Sequence, residues 1–118
     1  MPELPEVETV RLALSKIVYN SKIEDVDVLR GDLRWKIKNS LKHDLENDYF
    51  KQPLRRGKYI LIPTIKDNIF LIHLGMSGQI KIRDNFESIF KHDHVRVIIK
   101  SENDKRYFIT YNDPRRFG

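Results

Sequence analysis

The sequence has 118 residues, room for one compact domain. Lys and Arg number 22 against 17 Asp and Glu, a formal net charge of +5, which is compatible with a polyanionic partner but is shared by many ordinary soluble proteins. The absence of cysteine excludes a disulfide framework, a thiol nucleophile and a thiolate-ligated zinc site. The acidic, apolar-poor N-terminus predicts neither a signal peptide nor a membrane span, leaving the cytoplasm as the expected compartment.

The first element is predicted to be a helix. Leu4, Val7, Val10, Leu14 and Ile17 recur at three- and four-residue spacing and define one apolar face. Pro5 falls where a first turn tolerates a missing N–H, and Glu3, Glu6 and Glu8 suit the positive end of the helix dipole. After Asn20 and Ser21 the period changes: Lys22–Leu29 alternates weakly and Leu33–Ile37 looks similar. Ser40–Asp48 is polar, with Leu41 and Leu45 four apart, and reads as a short helix or loop. From Phe50 onward the pattern is mostly strand: Lys58–Thr64, Ile69–Leu74, Gln79–Arg83, His94–Lys100 and Arg106–Tyr111. Turns are expected at Lys66–Asn68 and at Asn103–Asp104. The expected fold class is α+β, a β-sandwich of about eight mostly antiparallel strands with an N-terminal helix.

Position 2 carries the most informative chemistry. Pro2 is small enough for Met1 to be removed, which would expose a secondary α-amine. Such an amine has a pKa of roughly 7.7–8.0, so much of it is unprotonated near neutrality. Attack on a sugar C1′ would give an iminium, an electron sink that eases loss of a C2′ proton. An ordinary helix start explains Pro2 equally well by spacing alone. His92 and His94 flank Asp93, but with no third ligand in sight no metal site is expected.

Five segments spread over the whole chain occur in a telling order: MPELPEVETV at the start, RRGKY at 55–59, HLGMSG at 73–78, KHDHV at 91–95 and YNDPRRFG at 111–118. Together they resemble the bacterial formamidopyrimidine-DNA glycosylases, base-excision enzymes for 8-oxoguanine and ring-opened purines. The resemblance implies a bifunctional glycosylase and AP lyase whose partner is double-stranded DNA with damaged bases, acting as a monomer. Pro2 matches the nucleophile, Glu3 the acid that protonates the opening sugar, Glu6 a second carboxylate of the pocket, and Lys58 the β-elimination lysine. Met76, Arg115 and Phe117 match the wedge that fills the space of a flipped nucleotide. His92 and Arg116 match DNA contacts, and Arg55 is read as helping with the backbone. The sequence departs from the family at Leu12, in place of the second of two arginines, and at Asn112. No cofactor is expected in these residues. The family's helix-two-turn-helix and four-cysteine zinc finger lie beyond the matched segments. The expected unit is therefore the N-terminal catalytic domain, weak alone. The alternatives are a catalytically silent DNA-binding fragment and half of a split enzyme that needs a C-terminal partner.

Overall fold

The structure, a computed structural model, describes residues 4–28, 45–75, 78–84 and 93–113. One helix and seven strands lie within them. The helix α1 spans Leu4–Val18, and the strands are β1 Lys22–Val28, β2 Leu54–Arg56, β3 Tyr59–Pro63, β4 Ile69–His73, β5 Gln79–Arg83, β6 Asp93–Lys100 and β7 Arg106–Asn112. The strand expected at Leu33–Ile37 and most of the Ser40–Asp48 segment lie outside the described residues.

Helix α1 forms for the reasons its sequence suggests. Glu6 sits in the first turn and Lys16 in the last, each complementing the dipole. Val7, Leu14 and Val18 are buried, with Val10 and Ile17 packed beside them. The helix stops at Asn20, whose φ of 61° is the left-handed conformation that asparagine tolerates, and whose N–H leaves the helix to bond the Phe50 carbonyl at 2.9 Å.

The strands form two antiparallel sheets, one ordered β1-β6-β7-β5 and the other β2-β3-β4. Ile60, Ile62 and Ile72 of the smaller sheet join Ile23, Val26, Val95, Val97, Ile99 and Ile109 of the larger one, and the α1 face, in a single core. The weak alternation of β1 has a specific cause. A bulge shifts the register between Ile23 and Asp25, so Ile23 and Val26, three apart, are both fully buried against β6. In β3, Ile60 and Ile62 face the core, while the other face of this sheet leaves Leu54, Tyr59, Ile69 and Leu71 exposed. The near-continuous apolar run therefore covers a sheet that is apolar on both faces.

Between β4 and β5 the chain leaves the smaller sheet and joins the edge of the larger one, beside β7. The corner is tight. Gly75 has a φ of 64°, and Gly78 donates its N–H to the Leu74 carbonyl at 2.8 Å. A side chain at position 78 would overlap the Leu74 oxygen and stand 2.8 Å from Cε1 and 2.9 Å from the hydroxyl of Tyr111. Gly78→Ala should therefore destabilise the domain by about 1–3 kcal/mol through overpacking, read as a lower urea midpoint with an unchanged m-value.

Candidate nucleic-acid and catalytic site

Lys58 occupies the second position of a two-residue turn joining β2 to β3, where Arg56 pairs with Tyr59. Gly57, in the first position, has a φ of 59°, and Lys58 does not cross to positive φ. That combination is the type II′ hairpin turn, whose twist matches the flanking strands. Space does not demand glycine here, since a Cβ at position 57 would meet nothing within 4 Å; the backbone angle does. The Lys58 side chain is half-exposed beside this rigid turn.

Arg55 fastens the turn to α1. Its Nη1 donates to the Gly57 carbonyl at 3.0 Å and its Nε to Glu8 Oε1 at 2.9 Å. Glu8 is also gripped at both oxygens by Arg11, whose Nη1 donates to the Pro53 carbonyl at 3.3 Å. One turn further along, Gln52 Nε2 donates to Ser15 Oγ at 3.1 Å. Glu8, Arg11 and Ser15 share one helix face by their three- and four-residue spacing, so the strip from Gln52 to Gly57 lies along α1. Glu6, exposed in the first turn, is two residues from this clasp. The hydrogen bonds from Arg11 and then Arg55 hold the Glu8 carboxyl at about 2, against an ordinary value of 4.5.

A second cluster lies at the corner between the sheets. Tyr111 of β7 pairs with Ile80 of β5 on one side and Val95 of β6 on the other, and its ring closes on Gly78. Its hydroxyl donates to Asp113 Oδ2 at 2.7 Å. A bulge in β6 between Asp93 and Val95 leaves His94 out of register, and both His94 and Val95 are buried. His94 Nε2 donates to the Asp113 carbonyl at 2.7 Å, and its ring lies 5.9 Å from that of Tyr111.

Of the residues singled out from sequence, Glu6, Arg55 and Lys58 are described. The Glu8–Arg55 link brings the turn of Lys58 to the N-terminal half of α1. Arg55, read from sequence as a DNA-backbone aid, bonds Glu8 and Gly57 through Nε and Nη1. Pro2, Glu3, Met76, His92, Arg115, Arg116 and Phe117 lie outside the described residues. Their nearest described neighbours are well held: α1 begins at Leu4, Gly75 and Gly78 bracket positions 76 and 77, and Asp113 precedes the last five residues. Among the described residues no group of three His, Asp or Glu is placed to hold a metal ion, and no helix is long and apolar enough to cross a membrane.

Residues 1–118 match the profile of the formamidopyrimidine-DNA glycosylase N-terminal domain over their whole length. The chain belongs to that family. Formamidopyrimidine-DNA glycosylase of Bartonella henselae is 40% identical over 126 residues, covering 100% of this chain and 43% of the relative. The Haemophilus influenzae enzyme is 43% identical over 118 residues, covering 41% of its own length. Among solved structures, Lactococcus lactis formamidopyrimidine-DNA glycosylase, non-covalently bound to DNA containing an AP site, superposes with a TM-score of 0.84. It is 29% identical, with 98% of this chain and 43% of that one covered. The same enzyme with DNA containing a formamidopyrimidine guanine lesion gives 0.85 at 30% identity, with coverages of 98% and 42%. The chain thus spans about two-fifths of the length of these relatives.

Sequence reasoning took Glu8 only as a dipole carboxylate and gave His94, Tyr111 and Asp113 no site role. A signal for Glu8 existed in Arg11 three residues on; nothing in the sequence announces the bulge at His94. Because the folded-state value of Glu8 is depressed, its pairing stabilises the fold above about 4.5 and the benefit is lost as pH falls toward about 2. Glu8→Gln should lower the thermal midpoint at neutral pH, and the gap to the unsubstituted protein should close across that acid interval in a pH series of melting curves.

Proposed function

We propose that this chain is the N-terminal catalytic domain of a base-excision DNA glycosylase and AP lyase that removes oxidised purines from double-stranded DNA in the bacterial cytoplasm. The observation that carries the proposal is the match over residues 1–118, supported by the likeness to a glycosylase held on abasic-site and formamidopyrimidine-containing DNA. The net charge of +5 suits the polyanion. Pro2 is the nucleophile: its amine lone pair forms a bond to C1′ as the bond from C1′ to the base breaks, and the base leaves with a proton. Glu3 protonates the ring oxygen as the sugar opens to the iminium. Loss of a C2′ proton then expels the 3′ phosphate, and Lys58, on its clamped turn, serves this β-elimination and the adjacent phosphate. Glu6 lies in the same pocket as a second carboxylate. Met76, Arg115 and Phe117 offset the cost of unstacking the flipped nucleotide, and His92 and Arg116 contact the backbone. No cofactor enters these steps. The family's zinc finger belongs to the three-fifths of the relatives that this chain does not cover.

Borohydride trapping tests the assignment. Protein shown by mass to lack Met1 should form a covalent adduct with abasic or 8-oxoguanine duplex, and Pro2→Gly should abolish most of it. An adduct that survives this change removes Pro2 from its role. No adduct from the unsubstituted chain, with DNA binding that still weakens steeply with salt, would favour a silent binding fragment. Lys58→Ala should keep the trapped adduct while slowing strand cleavage roughly a hundredfold, the scale of a general acid–base group.

A further inference from the structure

The corner cluster contains a group that the chemistry above does not use. His94 is wholly buried, yet among the described residues only one of its ring nitrogens is bonded. A carbonyl accepts and cannot donate, so Nε2 carries the proton toward Asp113. Nδ1 is buried without a hydrogen-bond partner among the described residues. A buried, unsatisfied ring nitrogen is costly, and an aliphatic side chain would fill the core without that cost. What the imidazole supplies and an aliphatic side chain does not is the N–H that fixes the Asp113 backbone.

That bond is one link in a continuous series. His94 Nε2 holds the Asp113 carbonyl. The Asp113 carboxylate accepts from the Tyr111 hydroxyl. The Tyr111 ring leaves no space for a side chain at Gly78, and Gly78 closes the corner through Leu74. Asp113 and Gly78 are far apart in sequence; position 114 follows the first, and Met76 lies two positions before the second.

We infer that His94 and Tyr111 are positioning residues that tie Asp113 to Gly78 and Leu74, so that these two stretches of chain respond as one unit, and that this coupling supports the work of Met76, Arg115 and Phe117. The second half of this inference rests on the wedge roles assigned above. His94 is wholly buried and acts through Asp113 and Tyr111. Disturbance at one end should reach the other without loosening the β2-β3-β4 sheet.

Two measurements on the full chain test it, with Tyr111→Phe, which keeps the ring on Gly78, alongside His94→Leu and His94→Gln. The Gln amide nitrogen takes the place of Nε2 and can still donate. Hydrogen exchange of the Gly78 amide should quicken roughly threefold to tenfold in Tyr111→Phe and His94→Leu, the scale of a lost buried hydrogen bond, while β3 amides keep their rates. His94→Gln should stay within about twofold of the unsubstituted protein. The second measurement is the fluorescence of 2-aminopurine placed opposite a tetrahydrofuran site in a duplex. It should rise on adding the unsubstituted protein, rise by roughly a third or less as much with Tyr111→Phe and His94→Leu, and recover with His94→Gln. Gly78 exchange that ignores both substitutions, or changes only in step with β3, overturns the coupling. Exchange that responds as expected while no protein unstacks the reporter leaves the coupling supported and overturns the wedge reading alone.

Discussion

The crossing from the smaller sheet to the larger one at Leu74–Gly78 is the constraint on which the rest of the arrangement depends. A chain that changes sheets must turn within a few residues while satisfying its backbone polar groups. Here it does so with a left-handed Gly75, a Gly78 N–H returned to Leu74, and an aromatic ring closed over the glycine. Because that ring belongs to β7, between β5 and β6, the corner is referenced to the middle of the larger sheet rather than to its edge. Gly78, the first described residue after positions 76 and 77, is set by that sheet.

The joint between α1 and the β2–β3 turn is organised by charge. Glu8 receives two guanidinium groups, and each guanidinium also holds a backbone carbonyl of the strip that leads to Lys58. A lone surface ion pair contributes little to stability. This one also fixes geometry, because the helix that begins at Leu4 and the turn that carries Lys58 share a carboxylate. The Arg11–Pro53 and Gln52–Ser15 bonds hold the same strip along the helix.

Much of the fold was readable in the residues. The period of α1, the runs that became β3 to β7 and the turns at Asp67 and Asp104, both with positive φ, follow from local preferences that neighbours reinforce. The two bulges were not readable. Ile23 and Val26 break strict alternation in a way that looks like a weak strand, and His94 beside Val95 looks like an ordinary inward-outward pair until the register shifts. A bulge is a property of two paired strands, and a single chain segment does not encode its partner's register.

The sequence by itself determined the family, through five ordered motifs, and with it the candidate chemistry at Pro2, Glu3 and Lys58. It also determined the local devices, namely the helix start, the glycine at the II′ turn and the apolar face of α1, because each depends on residues within a few positions of one another. Tertiary structure alone decided which polar groups hold the helix, the turn and the corner together. Arg55 bonded Glu8 and Gly57 at the surface, and His94 and Tyr111 converged on Asp113. Arg55 and Glu8 are 47 residues apart and His94 and Asp113 are 19 apart, and only the packing of two sheets and a helix around one core brings their hydrogen-bonding atoms within 3 Å.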